Sequence, residues 1–286
     1  MSNRRILLGA LLITVLMQQY ERLAMASDSM IKAEELLARH LESIGTAEAR
    51  SGVKTRVVQG TAVYRVVVGG GGRLEGKTGL VSEGHKVRYL VRFQADYRGE
   101  NVVFDGNRIG ASSSTADQRR SAFAGLITAQ DVILRDGLLG GTLSTAWPLL
   151  ELQEHKSKLV IEGLRKIDGR ELYQVRYEPA KRVDVQILLY FEPDTFRHVK
   201  TLYATSVANN VGGDILRSSK LQPERTTLEE RFSDFKTVDG VTLPSQWNLQ
   251  FTWELPQGTT SVTEWDLKED QVTHNIGLDP KNFEVK

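Results

Sequence analysis

Residues 157–203 read SKLVIEGLRKIDGRELYQVRYEPAKRVDVQILLYFEPDTFRHVKTLY, and their alternation decides the fold. Lys158 to Ile167 is one run, closed by Asp168-Gly169, a pair that tolerates positive φ and so signals a two-residue hairpin. Beyond it Tyr173, Val175 and Tyr177 alternate with Gln174, Arg176 and Glu178. A third run sets Val183, Val185, Ile187, Leu189 and Phe191 on one parity; the turn Glu192-Pro193-Asp194-Thr195 follows, and Phe196 to Tyr203 starts another strand. Strand side chains point to opposite faces in turn, so this pattern buries one face of an antiparallel sheet and leaves the other wet.

The same grammar extends in both directions. Toward the C-terminus, a polar loop over Val211-Gly212-Gly213 to Pro223 leads to strands at Thr226 to Val238 and Val241 to Trp253, joined by Asp239-Gly240. In the second of these Val241, Leu243, Trp247, Leu249, Phe251 and Trp253 share a parity against Thr242, Gln246, Asn248, Gln250 and Thr252. Pro256-Gln257-Gly258 then turns into Thr259 to Leu267, with a short tail at Phe283 to Lys286. Toward the N-terminus, runs at Val57 to Val68 and Leu74 to Ser82 flank Gly69 to Gly72. That tract lacks the spacing of a phosphate loop, because Leu74 or Glu75 stands where the last glycine belongs, so it reads as a hairpin tip. His85 to Gln94 puts Val87, Tyr89, Val91 and Phe93 on one parity, and Asp105-Gly106-Asn107 joins Asn101 to Phe104 with Arg108 to Ala111. About ten or eleven antiparallel strands result, with helical insertions, which is an α+β class.

Two helical stretches break the pattern. In Asp28 to Ile44 the residues Met30, Ala33, Leu37, Leu41 and Ile44 form a stripe, with Asp28 or Ser29 as cap and Gly45 as stop. His40 lies beside the stripe and reads as a packed or surface residue rather than a ligand. The second stretch, Ser112 to Leu152, places Phe123, Leu126, Ile127, Gln130, Ile133 and Leu134 at helical spacing. Trp147-Pro148 divides it, so two short helices are expected. They serve as plain core, as a movable cover hinged at glycines, or as both.

At the start of the chain, Arg4 and Arg5 precede the apolar run Ile6 to Met17, too short for the roughly 20 residues of a spanning helix. Ala24-Met25-Ala26 matches a signal-peptidase site, so residues 1–26 read as a signal peptide and 27–286 as a single domain secreted across one membrane. Removing Arg4, Arg5, Arg22 and Glu21 takes the formal charge from +1 by 2 to −1, which gives no reason to expect a nucleic-acid partner. The chain has no cysteine, which excludes disulfides, thiol chemistry and a lipid-modified N-terminal cysteine.

No catalytic arrangement is present in the sequence: no G-x-S-x-G, no H-E-x-x-H, no P-loop. The five histidines, His40, His85, His155, His198 and His274, show no pair at metal spacing, and the carboxylates sit mainly on polar parities or in turns. An enzyme, a metal and a cofactor are therefore not expected. The aromatic residues on the apolar parity exceed what two short helices cover, which points to an apolar cavity for an apolar ligand.

Several of these segments resemble the LolA/LolB superfamily of lipoprotein carriers, including its RseB-like and LppX-like branches. The resemblance lies in Ile44-Gly45, in the hairpin Lys166-Ile167-Asp168-Gly169-Arg170-Glu171-Leu172-Tyr173, in Leu189-Tyr190-Phe191-Glu192-Pro193-Asp194-Thr195 and in Phe232 to Pro244. It implies a strongly curved, incomplete β-barrel whose concave apolar face is capped by helices. It also implies a monomeric carrier that holds acyl chains of a lipid or lipoprotein without covalent chemistry, or an envelope sensor that binds a protein partner. On that reading the cavity is lined by Val87, Tyr89, Val91, Phe93, Tyr173, Val175, Tyr177, Val185, Ile187, Leu189, Trp247, Leu249, Phe251 and Trp253. The lid, an insertion over about 117–152, carries Phe123, Leu126, Ile127, Ile133, Leu134 and Trp147.

Overall fold

The computed structural model describes residues 31–115, 121–207 and 224–285. The expected signal peptide and the whole loop from Val211 to Pro223 lie outside the described residues. Twelve strands, rather than ten or eleven, form one sheet: β1 Thr55–Val68, β2 Arg73–Glu83, β3 Lys86–Phe93, β4 Tyr97–Phe104, β5 Ile109–Thr115, β6 Lys158–Ile167, β7 Arg170–Glu178, β8 Gln186–Phe191, β9 His198–Val207, β10 Glu224–Val238, β11 Val241–Glu254 and β12 Thr260–His274. Their order is β5-β4-β3-β2-β1-β12-β11-β10-β9-β8-β7-β6. Two meanders thus run out to opposite edges and meet where β12 pairs antiparallel with β1. Since β5 and β6 are consecutive in sequence but lie at opposite edges, the chain between them has to cross from one edge to the other.

The sheet curls without closing. Tyr89 in β3 and Trp247 in β11 are four strand positions apart, a separation of roughly 19 Å on a flat sheet. Their ring centroids are 5.6 Å apart. Bulges help to bend it, one of them between Tyr97 and Glu100. There Gly99 has φ 105°, and a Cβ on it would fall 1.9 Å from the Val91 carbonyl oxygen, so only glycine lets β4 approach β3 this closely.

Helix α1 spans Ala33–Ile44, and its buried face is Leu36, His40 and Ile44. Of the expected stripe, Ile44 is buried and Leu37 and Leu41 pack partly buried against the core, while the deepest face is rotated toward Leu36 and His40, because an imidazole with both nitrogens bonded can be buried; Met30 lies outside the described residues. Helix α2, Ala47–Gly52, was not anticipated; the Thr46 hydroxyl caps it by accepting from the Ala49 N–H at 3.2 Å. The crossing segment holds α3 Ala122–Ala129, α4 Val132–Arg135 and α5 Leu152–His155, with 3-10 turns at Gly141–Leu143 and Pro148–Leu150. It is therefore more broken than two helices, as its glycines and Pro148 dictate. The convex face is not uniformly wet either: Leu172, Leu188, Tyr190 and Val199 form a small buried cluster there, roofed by Lys200 over the Tyr190 ring at 5.7 Å. No helix among the described residues is long and apolar enough to cross a membrane.

Candidate ligand-binding face

Every expected lining residue packs into one core cluster on the concave side, with Tyr173 and Trp253 only partly buried. The six expected lid residues are buried against it. The interior is close to full. A void of about 30 Å³ remains, lined by Tyr89, Val91, Glu100, Phe123, Trp247 and Trp265 among others. Ligand sites typically run from roughly 300 Å³ upward, so this is room for water rather than for a chain. The wide cavity suggested by the aromatic surplus is thus absent from this conformation; the crossing segment fills it.

That segment is fastened very unevenly. Between residues 136 and 147 polar bonds pin it to the scaffold. Tyr177 donates to Asp136 Oδ2 at 2.9 Å, the Tyr89 hydroxyl donates to the Leu139 carbonyl, and Arg56 Nη1 donates to the Thr142 carbonyl at 2.6 Å. The Thr145 N–H donates to Ser82 Oγ at 3.0 Å. Trp147 Nε1 donates to His40 Nε2 at 3.0 Å, while His40 Nδ1 pairs with the Phe196 carbonyl at 2.9 Å, which makes Nδ1 the donor. Burial holds His40 down to about 4, so it stays neutral and can accept from the indole. The Trp147 ring also stacks on His198, centroids 4.6 Å apart, and burial holds that imidazole well below its ordinary value too.

Glu230 is the central fastener. It lies on the apolar parity of β10 between Leu228 and Phe232 and is fully buried. Its Oε1 accepts from the Gly140 N–H at 2.7 Å and from Trp247 Nε1 at 3.0 Å, and its Oε2 accepts from Tyr203 at 2.8 Å. Burial raises its pKa to about 7, against the pull of these three donors. Gly140 is glycine for closeness rather than for hinging: φ is 79°, and a Cβ would meet the Tyr89 ring at 2.9 Å.

Helix α3 is held differently. Its hydrogen bonds are local, Ala124 N–H to the Ser121 hydroxyl at 2.9 Å and Thr128 Oγ1 to the Ala124 carbonyl at 2.8 Å, so apolar packing by Phe123, Leu126 and Ile127 keeps it in place. On its inner side Phe123 borders the void. On its outer side an open groove of about 770 Å³ runs between Ala122, Gly125, Leu126 and Ala129 and the strand residues Thr226, Phe251 and Trp253. The short helix is the partition between them.

Distant histidines also meet in ways that spacing does not show. His85 Nε2 lies 3.4 Å from Glu151 Oε2, and with Glu154 their ligand atoms fall within 4.8 Å of one another on the exposed surface. The group is assigned no metal.

Neither a family model nor a curated protein sequence matches the chain. Solved structures do. The LolA superfamily protein NE2245 from Nitrosomonas europaea is 14% identical with a TM-score of 0.45, covering 89% of this chain and 98% of its own. A putative outer membrane lipoprotein-sorting protein domain from Vibrio parahaemolyticus is 14% identical with a TM-score of 0.47, covering 88% and 97%. The MucA/MucB complex of Pseudomonas aeruginosa matches at 12% identity and a TM-score of 0.22, covering 84% and 99%. At these scores the functional reading rests on the chain's own geometry.

Proposed function

We propose that this protein is a non-enzymatic carrier of the envelope, exported to the periplasm, that holds the acyl chain of a lipid or lipoprotein on the concave face of its half-barrel. The observation that carries this reading is the partition: an apolar interior and an open groove separated by one short helix held mainly by apolar packing. Magnitudes decide which part moves. Displacing the whole crossing segment would strip burial from about a dozen large side chains at roughly 1.5–3 kcal/mol each, and would break the Glu230, Arg56 and His40 bonds as well. Displacing α3 alone exposes Phe123, Leu126 and Ile127, roughly 5–9 kcal/mol. An entering chain of roughly 14–16 carbons contributes about 0.8 kcal/mol per buried methylene, about 11–13 kcal/mol, which exceeds that cost. The lid is then α3, and the residues from Ile133 to Trp147 are its fixed floor.

The reading predicts saturable uptake of a fluorescent fatty acid at one site per chain, abolished by Leu249→Asp in protein whose far-UV circular dichroism is unchanged. A folded Leu249→Asp variant that binds as well as the parent would contradict it.

One observation favours a second reading. The filled interior suits a sensor that binds an envelope protein, with β5 and β6 as unpaired edges for strand addition. The β6 edge is defended against that by Lys158, Arg165 and Lys166 and by the irregularity between Ile161 and Gly163, which favours the carrier.

A further inference from the structure

The wall of the void is mostly apolar and holds one carboxyl. Glu100 lies on the inward parity of β4 with Val102 and Phe104 and is only 4% exposed. Its Oε1 accepts from the Tyr97 hydroxyl at 2.9 Å, and Tyr97 in turn accepts from Trp265 Nε1 at 3.0 Å. Its Oε2 is buried with no hydrogen-bond partner. The Ser121 hydroxyl, at the head of α3, is near enough to hold the carboxyl's pKa down by hydrogen bonding, though not in good geometry to Oε2, and it belongs to the helix that the carrier reading displaces. So a chain of two hydrogen bonds orients a carboxyl at the edge of a void too small for anything but water, with its other oxygen sealed off and unpaired. A residue serving only to fill that space would be a leucine, since a buried acceptor without a partner destabilises the fold.

Its place in the barrel suggests what it awaits. β4 begins at Tyr97, on the side of the sheet where α3 and the groove lie, and Glu100 sits just behind Phe123. Glu100 lines the same void as Phe123, Tyr89, Leu139 and Trp247, so a chain that enlarges the void by displacing Phe123 lies against this carboxyl.

We propose that Glu100 recognises the polar end of the cargo: its free Oε2 accepts a hydrogen bond from a donor, a hydroxyl or amide N–H, carried next to a long alkyl chain. The site discriminates against chains whose polar end only accepts, such as esters and ethers, because these leave Oε2 buried and unpaired. This rests on the carrier reading and adds the chemical class of the ligand to it.

The test compares 1-tetradecanol with its methyl ether, each displacing a fluorescent alkyl reporter that lacks a donor, on the parent protein, Glu100→Leu and Glu100→Gln. At pH 8.5, where Glu100 is ionised, the parent should prefer the alcohol by about tenfold, the scale of one hydrogen bond to a charged group. Glu100→Leu should bind the ether at least as well as the parent and lose the preference; Glu100→Gln, which keeps an acceptor and the shape, should retain part of it. Thermal melting of both variants confirms the fold; Glu100→Leu removes the unpaired Oε2 but leaves the Tyr97 hydroxyl without its acceptor, so a modest shift in melting temperature is expected and does not bear on the preference. Equal binding of alcohol and ether by parent and Glu100→Leu overturns the role of Glu100 while leaving the carrier reading intact. Displacement by neither compound in any of the three proteins overturns both.

Discussion

Glu230 shows how a single residue sets the behaviour of the site. Three donors converge on it, and it faces the core. Replacing it with leucine leaves the Gly140 N–H, the Tyr203 hydroxyl and the Trp247 N–H buried without an acceptor, at about 1–3 kcal/mol each, so Glu230→Leu is expected to lose several kcal/mol in urea unfolding. Glu230→Gln keeps an acceptor for Gly140 and Trp247 while Tyr203 turns its hydroxyl to accept, so the effect is electrostatic. Burial raises the Glu230 pKa from 4.5 to about 7. A folded state that binds its proton more tightly than the unfolded one is favoured fully below pH 4.5, loses that contribution as pH rises to 7, and stays level above. The stability of Glu230→Gln relative to the parent should therefore climb across that window, by on the order of 3 kcal/mol at most. A difference that stays flat from pH 4.5 to 8 would contradict the assignment. Both inward carboxyls left a trace in the sequence. Glu230 shares the parity of Leu228 and Phe232, and Glu100 that of Val102 and Phe104. Glu100 escaped notice because β4 reads as starting at Asn101: Gly99 and the bulge break the alternation just where the strand begins.

At the scale of elements, the strands were legible because each has one buried face and the turns carry Asp-Gly pairs whose φ is positive at both residues, as at Asp168-Gly169 and Asp239-Gly240. The crossing segment was legible only as apolar. What holds it lies far away in sequence: Arg56, His40 and Glu230 reach it from β1, α1 and β10, and no periodicity encodes such long-range polar bonds. The stripe of α1 misled for the same reason, since His40 is apolar in effect once Trp147 and Phe196 satisfy both nitrogens. The account assigns mobility to α3 alone. The absence of native cysteine makes this testable. Phe123 and Phe251, whose rings meet edge-on at 6.4 Å, can be changed to cysteine and bridged with a short bis-maleimide. Bridging should reduce fatty-acid uptake at least tenfold relative to the same variant left unbridged. Undiminished uptake by the bridged protein would show that the chain enters without moving α3.

For the whole molecule, buried titratable groups oppose one another. Glu100, Glu230 and Glu269 are each pushed up to about 7, chiefly by burial, so the folded state gains as pH falls from 7 toward 4.5. His40 and His198 are pushed down by burial, so the folded state loses as pH falls below 6.5 toward 4. The two trends cancel in part. The fold itself is a sheet with more apolar concave surface than its helices α1 and α2 can cover, completed by the chain's own crossing segment. The central claim is that an acyl chain takes the place of α3 on that face. Native mass spectrometry of the protein purified from its export compartment, followed by solvent extraction and lipid analysis, tests it most directly. The account predicts a species heavier by one acyl lipid or lipopeptide, carrying a hydroxyl or amide donor, in near-stoichiometric amount. A protein that arrives empty and also fails to take up a fluorescent fatty acid would contradict it.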